Sequence, residues 1–182
     1  INNEKMSKSL NNFFTVRDIS ELYDLEVVRL FMISSHYRSP INFSRDLLDS
    51  IKNSLERLYI AKNNLLHLMS ITENNNSAPE DNELKEKLLS HKDKFIEAMD
   101  DDLNTADAVS AIFDLVRDIN SNINENSSNE VVKFALELYM ELAGVLNILN
   151  KEQQSLDDEI EKLIEERQQA RKSKNWALAD KI

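Results

Sequence analysis

A chain of 182 residues holds one glycine, Gly144, and two prolines, Pro40 and Pro79. Leu, Glu, Asn, Lys, Asp and Ser dominate the rest, which is the profile of helices joined by polar loops and predicts an all-α architecture. The same scarcity of glycine excludes a dinucleotide fingerprint or a P-loop from these residues, since both need several glycines to bring backbone against phosphate. Any nucleotide fold would have to lie outside them. An apolar content of 41% is enough for one mid-sized domain or two small ones with a real core. There is no cysteine, and the apolar runs fall far short of the roughly 20 residues of a membrane span. The chain therefore reads as cytosolic, disulfide-free and without a membrane partner. Its start at Ile1 and its stop at Ile182 inside a helical pattern read as a piece of something larger.

Helical periodicity and cap residues divide the chain. Thr15 with Asp18 forms a capping pair for a short helix to about Tyr23, and Asp24 caps a second from Leu25 to about Ser35. Val27, Val28, Leu30, Phe31, Met32 and Ile33 make that second helix apolar on most of its circumference, which predicts burial. Pro40 makes a loop of His36 to Phe43, and Ser44 restarts the helix. Leu48, Ile51, Leu55, Leu58, Leu65 and Met69 then keep a three-four spacing, broken only at Lys62, along one long bundle helix. Residues 72–82 read as an exposed loop, and Leu84, Leu88, Phe95, Ile96 and Met99 as the next helix. After the acid run Asp100 to Asp102, Thr105 is placed to cap a helix bearing Val109, Ile112, Phe113, Val116, Ile119 and Ile123. A helix from about Glu130 to Leu149 carries Gly144, read as a site of close helix–helix contact. Ser155 with Asp158 predicts a further helix, and Asn175 to Ile182 the start of another.

The formal charge is −11, and it is uneven: residues 1–63 carry about +1, residues 64–160 about −14 and residues 161–182 about +2, counting Lys and Arg against Asp and Glu. Within the first segment, Lys5, Ser7, Lys8 and Ser9 sit in five residues, "KMSKS". This is compatible with an ordinary solvated turn. It also offers what a polyphosphate needs: two ammonium groups three apart that converge in a turn, two hydroxyls, and backbone amides beside them.

The stretch "KMSKSL-x-N" resembles the second signature of class I aminoacyl-tRNA synthetases, the mobile loop that contacts ATP during amino-acid activation. "FFTVRDI", "LEVVRLFMISSHYRSPINFS", "MDDDLNTADAVSAIFDLV" and "LIEERQQARKSKNWALADKI" are similar to cysteinyl-tRNA synthetase, in the order that family shows. The resemblance implies a KMSKS loop and stem-contact region over 1–43 and a helical bundle over 44–150, of the type named for an Asp-Ala-Leu-Arg motif. The start of an anticodon-binding region would follow over 151–182. It implies an ATP-dependent ligase joining cysteine to tRNA(Cys), with ATP and Mg2+ as cofactors and zinc held in a catalytic domain outside these residues, in which case the present chain alone is inactive and monomeric. Lys8 would be the ATP-contacting lysine, Lys5 its support, and Ser7 and Ser9 further ATP contacts. Asn11 stands where the family usually has glycine. Two other readings stay open: a related ligase delivering cysteine to a small amine, and a free-standing helical interaction module.

Further residues divide between two roles. His36, Tyr37 and Arg38 suit stacking on RNA or phosphate binding, or else form a loop packed by Tyr37 with Arg38 solvated. Arg167, Arg171, Lys172 and Lys174, with Trp176, form either an RNA-binding patch or a solvated helix end. Asp100 to Asp102 read as helix-terminus residues in preference to a metal site, and no metal site is expected in this chain. His67 and His91 read as structural or surface residues.

Overall fold

Each short polar side chain expected to open a helix in the first half does so by the same chemistry, an oxygen accepting a backbone N–H that the first turn leaves unpaired. The computed structural model describes residues 4–7, 9, 13–72 and 79–151, which form six helices and no strand. Thr15 and Asp18 exchange bonds of 3.1 and 2.8 Å in a capping box at the head of α1 (Val16–Ser20). Asp24 caps α2 (Leu25–Ile33), accepting from the Glu26 N–H at 2.9 Å. Ser44 caps α3 (Arg45–Ile71), accepting from the Leu47 N–H at 3.3 Å. α4 (Pro79–Asp100), α5 (Thr105–Asn122) and α6 (Asn129–Val145) follow.

Several boundaries differ from the sequence reading for local reasons. α4 begins at Pro79, inside the stretch expected as loop, because the first helical position needs no N–H donor. α5 is capped by Asn104 rather than Thr105: the Asn104 side chain accepts from the Asp107 N–H at 3.2 Å and donates to the Asp107 carboxylate at 2.8 Å. α6 stops four residues before the expected Leu149. There the N–H of Ile148 reaches the carbonyl of Ala143 and that of Asn147 the carbonyl of Gly144, around a left-handed Asn147 at φ 53°. That bond pair is a Schellman termination, with asparagine in the place glycine usually takes. Gly144 is not a helix–helix contact point. It is exposed, and a Cβ built there would meet nothing within 4 Å. The helices expected from Ser155 and from Asn175 lie outside the described residues.

α5 lies at the centre of the bundle, burying Ala108, Ile112, Leu115 and Ile119 along one stripe and Val109 and Val116 beside it. α4 packs along α5, α3 along α6, and α6 also touches α4 and α5. Tyr139 of α6 is wholly buried and donates its hydroxyl to the Leu58 carbonyl of α3 at 2.9 Å. Burial keeps that phenol neutral by pushing its pKa far up. Across the α4–α5 interface, Asp118 accepts from Lys87 at 2.8 Å and from the buried His91 Nε2 at 2.7 Å. Those two hydrogen bonds, Lys87 first, hold the Asp118 carboxyl below its usual range.

α2 is only half integrated. Val27, Leu30 and Phe31 are buried against the bundle, whereas Leu25 is 54% and Met32 55% exposed, so the wide apolar face expected to be core is divided between core and surface. Polar contacts complete its anchorage. Glu26 accepts from the Tyr59 hydroxyl of α3 at 2.7 Å and from the N–H of Leu149, while Lys62 donates to the Leu149 carbonyl at 2.9 Å. Leu149 is buried with left-handed backbone, φ 63°. Residues to Leu149 make one unit and the chain from Asn150 belongs to a second.

Two outcomes follow for stability. Gly144→Ala should stabilise the fold by about 0.4–1 kcal/mol, because helical backbone there accepts a methyl without a clash and the unfolded chain loses freedom; equal or lower stability in urea denaturation would show a hidden steric demand. Asp118 has a depressed folded pKa, so the stability it contributes is complete above its unfolded value of about 3.9 and is lost as pH falls through the folded value. Asp118→Asn should therefore flatten the loss of stability below about pH 4, measured by thermal midpoint against pH.

Candidate phosphate and nucleic-acid interface

Hydroxyls two residues apart in a short loop tend to turn the chain back on itself. The Ser7 Oγ accepts from the Ser9 N–H at 3.2 Å, and the two hydroxyl oxygens lie 2.7 Å apart. Lys5 is exposed on the same loop, and Lys8 lies outside the described residues. The loop borders a groove of about 790 Å3 whose walls include Lys5, Met6, Phe14, Phe31, Met32 and Phe43. Phe43 is the hinge of its aromatic wall, with ring centroids 6.0 Å from Phe14 and, edge-on, 6.0 Å from Phe31. The groove explains why α2 leaves Met32 uncovered: its second apolar face lines this space instead of the bundle.

The loop after α2 gathers a second group. His36 and Tyr37 stack at 4.8 Å, and the Arg38 guanidinium lies 5.4 Å from the Tyr37 ring centroid. His36 Nδ1 accepts from the Arg38 N–H at 3.2 Å, which leaves Nε2 as the proton-bearing nitrogen of the neutral ring. All three side chains turn to Asp102, in the turn between α4 and α5. Arg38 meets its two oxygens at 2.9 and 3.3 Å, the Tyr37 hydroxyl donates at 2.9 Å, and His36 Nε2 lies 3.9 Å away. The hydrogen bond to Asp102, followed by partial desolvation, pushes the Tyr37 phenol pKa up.

Asp102 and the exposed Leu103 both have left-handed backbone, at φ 56° and 55°. Such backbone costs roughly 1–2 kcal/mol per residue outside glycine, less for aspartate than for leucine. An exposed ion pair returns only about 0–1 kcal/mol. The turn is also held by main-chain bonds from Asn104 to the Ala98 carbonyl, 3.0 Å, and from Leu103 to that of Met99, 3.2 Å.

Of the residues singled out in the sequence, the structure brings His36 and Arg38 together, with Tyr37 between them. It places Lys5, Ser7 and Ser9 on one loop beside the groove. Arg167, Arg171, Lys172, Lys174 and Trp176 lie outside the described residues. Asp102 was not legible as a partner of residues 36–38, since a contact across 64 residues leaves no trace in local spacing. Among the described residues no group of three or more His, Cys, Asp or Glu side chains could hold a metal ion; Asp100 ends α4 and Asp102 pairs with Arg38. No helix among them is long and apolar enough to cross a membrane.

Residues 1–53 match the family model described as tRNA synthetases class I (C) catalytic domain, and residues 94–150 match the one described as DALR domain. The two matches support a class I aminoacyl-tRNA synthetase. They also set the geometry in context: the opening loop and His36–Arg38 fall in the first match, Asp102 in the second.

Proposed function

We propose that these residues are the part of a cytoplasmic, monomeric cysteine–tRNA ligase that runs from its mobile ATP loop through the tRNA-binding helical bundle. The observation that carries this reading is the order of the two family matches along one chain, with Lys5 to Ser9 at the head of the catalytic match and the end of α4, α5 and α6 within the DALR match. Cysteine as the amino acid is supported by the four sequence blocks that resemble that enzyme, and the domain limits 1–43, 44–150 and 151–182 follow the same likeness.

In this reading Lys8, supported by Lys5, contacts the polyphosphate of Mg2+-bound ATP, and Ser7 and Ser9 add hydroxyl contacts. Ammonium groups on a loop that tightens as charge moves to the leaving pyrophosphate stabilise the transition state more than the ground state. The apolar groove beside the loop suits the catalytic domain of the same enzyme. Zinc would belong to that domain: this chain has no cysteine, and its described residues offer no metal-binding cluster. The 182 residues alone would then be inactive. His36, Arg38, Arg167, Arg171, Lys172 and Lys174 contact tRNA.

Full-length protein containing this chain should catalyse ATP–pyrophosphate exchange with cysteine and not with serine. Lys8→Ala should lower the exchange kcat by about 10- to 100-fold, the rate equivalent of a charged hydrogen bond to phosphate, and leave the KM for cysteine within about twofold. Exchange unaffected by Lys8→Ala would remove the role given to that lysine, and exchange supported by a different amino acid would remove cysteine.

A further inference from the structure

Three consecutive side chains converge on one oxyanion across the fold. Arg38 addresses both oxygens of Asp102 as a fork, the pairing a guanidinium also makes with phosphate. Tyr37 adds a hydroxyl and His36 turns Nε2 to the same carboxylate. The seat is accessible: the side chain of Arg38 is 68% exposed and that of Asp102 42%. Its occupant is weakly held, because an exposed ion pair contributes little and the Asp102 side chain can rotate away while main-chain bonds keep the turn.

We propose that Asp102 is an internal stand-in for an RNA backbone phosphate, which displaces it from the His36–Tyr37–Arg38 seat when tRNA binds. This rests on the tRNA-binding reading above and adds the competitor to it. The shared ligand chemistry is phosphate, available from RNA or from the polyphosphate of ATP. RNA is favoured because residues 36–38 are not among the lining of the groove beside the opening loop, and Tyr37 and Arg38 are exposed on the α2–α3 connection with His36 half-buried beside them. Exchange of one oxyanion for another leaves the guanidinium paired throughout, so it passes through no bare charge.

The test is binding of unfractionated tRNA to full-length protein containing this chain, at two salt concentrations, with tripolyphosphate as the second probe. Asp102→Asn and Asp102→Gly should each tighten tRNA binding about 2- to 5-fold by removing the competitor. The glycine variant also relieves the left-handed backbone and so keeps the test open if the asparagine variant folds poorly. Arg38→Gln should weaken binding and reduce the salt slope by about one, and Asp102→Asn should have no effect in its presence. tRNA binding by wild type with no gain in either Asp102 variant overturns the exchange and leaves the tRNA reading standing. A gain for tripolyphosphate alone overturns RNA as the occupant. No tRNA binding by any of the proteins overturns both.

Discussion

A nine-residue helix cannot hold itself in water, and α2 has that length. Its place depends on the bundle, through Val27, Leu30 and Phe31 below and the Glu26 carboxylate at its head. Glu26 reaches the Tyr59 hydroxyl of α3 and the main chain after α6, so one side chain joins three parts of the unit. Lys62 closes the other side of Leu149. Both surfaces with phosphate chemistry hang from this anchor, the groove beside Lys5 on one side of α2 and His36 to Arg38 at its end. A shift of α2 on α3 would move them together.

Caps made by a single oxygen were readable in the sequence because their chemistry is complete within three residues: Thr15 with Asp18, Asp24 and Ser44 all stand where spacing put them. Asn104 was equally local, yet Thr105 beside it carries the same kind of signal, and only the backbone decides between neighbours. The end of α6 was harder. Nothing in the apolar period through Leu146 and Leu149 marks a stop; Asn147 ends the helix by taking left-handed backbone that so glycine-poor a chain must find elsewhere. Gly144 misled for the converse reason, since an uncommon residue invites a special role while this one occupies open helix surface.

The apolar circumference of α2 shows a different limit. Hydrophobicity says that a face avoids water and not what covers it. Met32 and Phe31 are adjacent in sequence and both line the groove, but Phe31 is also buried against the core while Met32 is left 55% exposed. Lys62 is the mirror case: a charge that interrupts an otherwise regular apolar stripe is there to bind a carbonyl arriving from 87 residues away. In both, the residue type was legible and its partner was not.

Charge distribution gives the Asp102 turn its meaning. Formal charge of about −14 is carried by residues 64–160, and a field of that sign opposes any polyanion at long range. Phosphate can therefore be held beside the acidic bundle only where short-range geometry outweighs the field, as a fork, a hydroxyl and a ring nitrogen aimed at one point would do. The acidic bundle reaches into that point with its own carboxylate. A free anion must displace a partner already tethered at high effective concentration, whereas a polyanion docked elsewhere on the protein brings its phosphate at comparable concentration. On the proposed exchange the arrangement would discriminate against isolated phosphates through competition, with an exposed side chain that holds the seat only loosely.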